Sequence, residues 1–167
     1  DIGIIGKPNA GKSSLLAALT KAKPKIANYP FTTLNPSLGV TYYDGKEITL
    51  ADIPGLVEGA HKGIGLGDKF LRHIERCKAL LHLIDLTEDN LADNFKKIRL
   101  ELSAYDKSLV KKKEIIIFNK ADLLKKEDIE KKIKEFKNKI KKKYEVISVF
   151  SNKDTQKIKK LLIQNVN

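Results

Sequence analysis

Residues Gly6-Lys7-Pro8-Asn9-Ala10-Gly11-Lys12-Ser13 fit the pattern G-x-x-x-x-G-K-[ST]. The glycines let the backbone curl closely around an anion. N–H groups from Asn9 to Ser14 can then converge on phosphate oxygens at a helix N-terminus. Lys12 brings a positive charge to the outer phosphates, and Ser13 offers a hydroxyl to Mg²⁺. Further along stands Asp52-Ile53-Pro54-Gly55. At the carboxyl end of a strand, Asp52 can hold the same Mg²⁺ through a water, and the Gly55 N–H can reach the terminal phosphate. A third group, Asn119-Lys120-Ala121-Asp122 followed by Leu123, suits a purine base. The Asp122 carboxylate can accept hydrogen bonds from N1–H and the 2-amino group of guanine. Adenine has neither donor there and would leave Asp122 unpaired, at a cost of about 1–3 kcal/mol. Asn119 can bridge either the base or the phosphate loop, and the Lys120 stem can cover the ring. The backbone at Ser148 and Val149 can reach the guanine carbonyl oxygen. These residues imply a Mg²⁺-dependent site for GTP or GDP.

Such groups need strand ends to hold them. The patterning predicts strands over Ile2–Ile5, Leu38–Tyr43, Glu47–Asp52, Ala79–Asp85, Glu114–Phe118 and Glu145–Val149. Several of these are almost wholly apolar, as strands buried on both faces should be. Asp44-Gly45-Lys46 separates two of them as a hairpin turn. Helices are predicted over Lys12–Lys21, Gly67–Cys77, Leu91–Lys107, Lys126–Lys143 and Asp154–Gln164. Strand–helix alternation implies an α/β fold with a doubly wound, mostly parallel six-stranded sheet and one antiparallel edge strand. The lysine-rich stretch from Lys125 to Lys143 keeps Ile129, Ile133, Phe136 and Ile140 at helical spacing, so most of its lysines should form a solvated face.

A chain of 167 residues, 41% of them hydrophobic, can bury a core as one domain. It contains no apolar run of the roughly 20 residues that a membrane-spanning helix requires. The sequence holds no Met and opens on a core strand, so the native protein is expected to continue on the N-terminal side. The single cysteine, Cys77, rules out an internal disulfide and fits a reducing cytosol, with Cys77 as a small buried hydrophobe. The net charge of +12 suits a polyanionic partner such as RNA. It equally reflects the Lys, Ile and Asn bias of an AT-rich genome.

The motifs, in this order, resemble those of translation-factor-type GTPases, and the residues between them are similar to the Obg family. Asn28-Tyr29-Pro30-Phe31-Thr32-Thr33-Leu34-Asn35-Pro36 resembles its first switch, and DIPGLVEGAHKGIGLG, from Asp52 to Gly67, its glycine-rich second switch. DKFLRHIERC, from Asp68 to Cys77, and the strand LLHLID are similar too. The resemblance implies a P-loop GTPase fold, with residues 1–167 as the guanine-nucleotide domain of a larger cytoplasmic protein that carries a glycine-rich N-terminal domain. It implies contact with the large ribosomal subunit or its RNA during assembly, and a role in stress control. Phe31, Thr32 and Thr33 then line the nucleotide. Thr33 matches the switch threonine that completes the Mg²⁺ shell with Ser13 and Asp52, although physics alone does not choose between Thr32 and Thr33. The chain departs from the family at Lys7, where an apolar residue is usual, at Asn35 and at Val149.

Hydrolysis would be attack of water on the terminal phosphoryl group. Lys12, Thr33, Gly55 and the loop amides would supply positioning and charge. Where many GTPases place a water-orienting Gln, this chain has Leu56, so slow intrinsic turnover is expected. The loop GKPNAGKS resembles those of potassium-stimulated GTPases such as MnmE, which makes Asn9 a candidate K⁺ ligand. The alternative is that Asn9 only shapes the loop. His61 could orient water, but it is expected, like His73 and His82, to be structural or solvated. Arg72 and Arg76 should face solvent or a partner domain. A monomer is expected. The competing reading is a sensor that binds GDP or an alarmone without appreciable turnover. A tRNA-modifying or transport GTPase fits the FTTL and EGAHKGIGLG segments less well, and Asp122 argues against an ATPase.

Overall fold

The computed structural model describes residues 1–26, 36–53 and 74–167. Its strands are β1 (Ile2–Ile5), β2 (Lys25–Ile26), β3 (Ser37–Tyr43), β4 (Lys46–Asp52), β5 (Ala79–Asp85), β6 (Lys113–Asn119) and β7 (Tyr144–Val146). Its α-helices are α1 (Lys12–Leu19), α2 (Leu91–Tyr105), α3 (Lys126–Lys139) and α4 (Asn152–Val166). The strands form one sheet in the order β2-β3-β4-β1-β5-β6-β7. β1 lies parallel to both β4 and β5, and β5, β6 and β7 run parallel in turn. β3 is antiparallel to β4 and to β2.

The apolar strands sit where both faces are covered. Every residue of β1 and of β5 is buried. One face packs Ile2, Ile4, Leu81, Leu83, Ile115 and Ile117 against α1 and α4 through Leu15, Leu16, Leu19, Ile158 and Leu162. The other packs Ile5 and Leu80 against Ile98 and Leu102 of α2, and Ile84, Ile116 and Phe118 against Phe95, Ile133 and Phe136. The last group includes the predicted helical stripe, with Ile129 and Ile140 partly buried beside it.

Three expectations need correction. The sheet has seven strands, not six. The extra strand, β2, is two exposed residues long, too short for periodicity to register. α3 stops at Lys139 rather than Lys143, because Ile140 turns extended (φ −128°, ψ 108°) and leads the chain into β7. β7 ends at Val146 instead of Val149, since the chain turns there, with the Ser151 N–H donated to the Ser148 carbonyl at 3.0 Å. Of the predicted helix Gly67–Cys77, only residues from 74 onward are described; there the Cys77 N–H meets the Ile74 carbonyl at 3.0 Å.

Candidate nucleotide site

The motif residues gather along the carboxyl edge of the sheet. β1 ends at Ile5 and runs straight into the loop Gly6–Gly11 before α1. Two positions there need glycine. A Cβ on Gly6 (φ +155°) would stand 2.4 Å from the Leu83 carbonyl oxygen, and one on Gly11 (φ +99°) would stand 2.5 Å from Asn119 Nδ2. Gly11 caps α1 without a side-chain hydrogen bond, which leaves the first amides of that helix to an outside acceptor. The Lys12 ammonium is donated to the carbonyls of Gly6 and Lys7, each at 3.2 Å. Burial holds its pKa below the ordinary lysine value, while nearby Asp52 pulls it the other way. Pro8, Asn9, Ser13 and Ser14 are exposed around the loop, and Ala10 is buried.

β4 runs beside β1 with Ile4 paired to Asp52, which brings Asp52 to the start of α1. Ser13 Oγ donates to Asp52 Oδ2 at 2.9 Å. The other carboxylate oxygen, Oδ1, is buried with no hydrogen-bond partner among the described residues. A hydroxyl and a carboxylate with an unused buried oxygen make a hard oxygen donor set, which fits Mg²⁺. Ile53 faces inward: it is 1% exposed, and its N–H extends the ladder to the Ile4 carbonyl at 3.1 Å. Pro54, Gly55, Leu56 and His61 lie outside the described residues, as do Phe31, Thr32, Thr33, Arg72 and His73.

The base motif follows β6. Asn119 is buried, and its Nδ2 donates to the Ala10 carbonyl at 3.0 Å while its Oδ1 accepts the Val149 N–H at 3.3 Å. Of the two options for Asn119, the bridge to the phosphate loop is the one formed. Lys120 adopts the left-handed region (φ +68°) and donates to the Asn9 carbonyl at 2.8 Å and to Asp85 Oδ2 at 2.6 Å. Asn9 is itself left-handed (φ +65°), a conformation that Asn tolerates well. Asp122 is exposed in the short 3-10 turn Ala121–Leu123, beside the exposed Leu123. The loop after β7 is stitched to this turn by Ala121 N–H on the Ile147 carbonyl at 3.1 Å. The Ser148 N–H goes to Asp154 Oδ2 at 2.9 Å, and Asp154 in turn donates its N–H to the α4 cap Ser151. The amides expected for a ligand at Ser148 and Val149 are thus both held by protein acceptors. Phe150, next in line, is 84% exposed.

Two acids that sequence reasoning passed over complete the arrangement. Asp85, at the end of β5, takes the Lys120 ammonium. Glu88, just beyond, pairs with Lys7 at 2.8 Å and accepts from Asn94 Nδ2 at 2.6 Å. Lys7, unusual for its position, therefore has a dedicated partner. His82 is structural as expected: it is buried, stacks on Phe95 at 5.0 Å, and shares its Nδ1 with Glu114 at 3.0 Å. Cys77 is buried and Arg76 exposed. No helix among the described residues is long and apolar enough to cross a membrane.

A phosphate loop opening α1, a strand-end aspartate against its serine, and an N-K-x-D turn tied back onto that loop define the P-loop GTPase fold. Residues 1–120 match the family described as 50S ribosome-binding GTPase. GTPase Obg of Pelagibacter ubique is 65% identical over 140 residues, which are 83% of this chain and 43% of that protein. GTPase Obg of Ehrlichia ruminantium is 54% identical over 167 residues, 100% of this chain and 48% of that protein. The chain belongs to the 50S ribosome-binding GTPases and, within them, to the Obg family. It spans about half the length of the curated relatives it matches. Among solved structures, Aquifex aeolicus Era bound to GDP and AlF₄⁻ superposes with a TM-score of 0.71 at 22% identity, covering 99% of this chain and 56% of that one. The G domain of the T. maritima FeoB iron transporter gives 0.68 at 22% identity, covering 99% and 98%. At that identity the likeness shows the fold.

Proposed function

We propose that the chain is the guanine-nucleotide unit of a cytoplasmic GTPase that hydrolyses GTP slowly and acts in assembly of the large ribosomal subunit, with a link to stress control. The observation that carries the nucleotide reading is the direct bonding of the base motif to the phosphate loop, through Asn119 on Ala10 and Lys120 on Asn9. The two motifs can therefore grip the two ends of one nucleotide as a unit. The family description and the relatives' names support the ribosomal role.

In this reading the amides from Asn9 to Ser14 and the Lys12 ammonium bind the phosphates. Lys12 shares its charge between phosphate oxygens and the loop carbonyls it already meets. Asp122 selects guanine, with Leu123 beside it and the Ser148–Val149 backbone near the base edge. Ser13, Asp52 and Thr33 would hold Mg²⁺, which supplies charge neutralisation at the phosphates when bound. Phe31, Thr32, Pro54 and Gly55 would close on the nucleotide. Water attacks the terminal phosphorus, the bond to the bridging oxygen breaks, and GDP and phosphate leave. Leu56 has no group to orient that water, so turnover is slow, and K⁺ held near Asn9 is the proposed accelerator. Leu56 suits a GDP or alarmone sensor equally well.

Calorimetry with GDP and GTP in Mg²⁺, with ATP as competitor, tests the proposal. Guanine binding that ATP cannot displace and that Asp122→Asn weakens is the expected result. Turnover above a Lys12→Ala control separates the switch from the sensor. Equal rates in K⁺ and Na⁺ would remove the potassium role.

A further inference from the structure

Asp85 ends the strand LLHLID and belongs to none of the three nucleotide-binding motifs, yet it meets the base motif from the neighbouring strand. The register pairs Asp85 with Asn119 across β5 and β6, which places the two strand ends side by side. Its side chain is only 9% exposed. Oδ1 accepts both the N–H and the hydroxyl of Thr87, at 2.8 and 2.6 Å, which fixes the carboxylate plane. Oδ2 is then aimed at Lys120 Nζ, 2.6 Å away. The same ammonium reaches the Asn9 carbonyl, so one cation joins the end of β5, the phosphate loop and the base motif. Lys120 also holds a left-handed backbone (φ +68°), uncommon for a residue other than glycine and sustained only where the surroundings enforce it. Burial disfavours the Asp85 charge, but the Lys120 ammonium and the two Thr87 donors outweigh it and hold the pKa below the ordinary value.

We propose that Asp85 is a positioning residue for guanine-nucleotide recognition: by fixing the Lys120 ammonium over Asn9, it locks the base motif onto the phosphate loop before any nucleotide arrives. This rests on the site taking a guanine nucleotide. Asp85 touches no part of the ligand and acts through Lys120. Asparagine at this position would keep the side-chain volume but lose the charge that the pair requires, and charge-assisted hydrogen bonds are about twice as strong as neutral ones.

The test is the dissociation rate of a fluorescent GDP analogue, followed by stopped flow with excess unlabelled GDP. Asp85→Asn should release it about ten to a hundred times faster. Asp85→Glu, which keeps the charge, should recover most of the loss, and a purely packing role predicts no such recovery. Lys120→Met and the double variant complete a cycle in which the double variant should be no worse than the worse single one. Multiplying effects, or Asp85→Asn within twofold of the parent, would overturn the proposal. Should Asp85→Asn not fold, Thr87→Val serves in its place. It removes the hydroxyl donor and leaves the backbone N–H on Oδ1, so the carboxylate is held less firmly, and release should speed up two- to fivefold; an unchanged rate would equally overturn the idea. A parent chain that binds no GDP would sink the guanine reading itself, a result distinct from all of these.

Discussion

Replacing Asn119 with alanine should destabilise the fold even with no nucleotide in solution. Asn119 is 1% exposed, and each end of its amide satisfies a backbone group from a different segment: the Ala10 carbonyl at 3.0 Å and the Val149 N–H at 3.3 Å. Alanine leaves both groups buried without a partner. Each such loss costs about 1–3 kcal/mol, and the longer bond to Val149 belongs at the low end, so about 2–5 kcal/mol is expected for the pair. In a chain of this size each kcal/mol moves Tm by about 2–4 °C, so Tm should fall by roughly 5–15 °C. Differential scanning calorimetry in EDTA, without nucleotide, makes the measurement. Asn119→Asp is the companion. It can still accept from Val149, but it sets a carboxylate oxygen against the Ala10 carbonyl and should recover little. A drop in Tm below about 2 °C for Asn119→Ala, together with a large loss of GDP affinity, would refute the reasoning, because Asn119 would then act through the ligand alone.

Two further outcomes follow from the ion pairs. Lys7 and Glu88 are each about one-third exposed, so their bridge is worth roughly 0.2–1 kcal/mol and is open to salt. Urea midpoints of Lys7→Leu and the parent should differ slightly at low salt and converge at high salt; a gap that persists would mean that Lys7 stabilises by packing. Glu114 is buried (3% exposed side chain) beside His82, Arg99 and Lys142. Burial raises its pKa, but the hydrogen bond and charge of His82, then Lys142 and Arg99, bring it from 4.5 down to about 2. A folded value below the unfolded one means stability that is present above about pH 4.5 and lost as pH falls toward 2; at about 1.36 kcal/mol per unit this is at most about 3 kcal/mol. Burial also lowers the His82 pKa, so the unfolded chain takes up that proton first as pH drops below 6.5, which again favours unfolding in acid. Denaturant midpoints should therefore fall more steeply between pH 4.5 and 2 in the parent than in Glu114→Gln, and parallel curves would remove Glu114 from the acid response.

What was legible in the sequence was local. β1 and β5 match their expected bounds to the residue because a strand buried on both faces writes a near-continuous apolar run. The end of α3 was harder to read. Ile140 continues the helical stripe and still packs in the core, but it does so from an extended backbone, and side-chain spacing does not register that change. Asp85 and Glu88 escaped notice because their partners are distant in sequence, Lys120 35 positions and Lys7 81 positions away. A signal for Asp85 was nevertheless present. β4 and β5 flank β1 in the sheet, and each ends in a buried aspartate. The rule that open α/β sheets bind ligands at the carboxyl ends of their strands led to Asp52 and applies equally to Asp85. A carboxylate that closes a buried strand beside the central one should be taken as part of the site before any motif is matched, because burying it there without a cation or a ligand nearby would cost several kcal/mol.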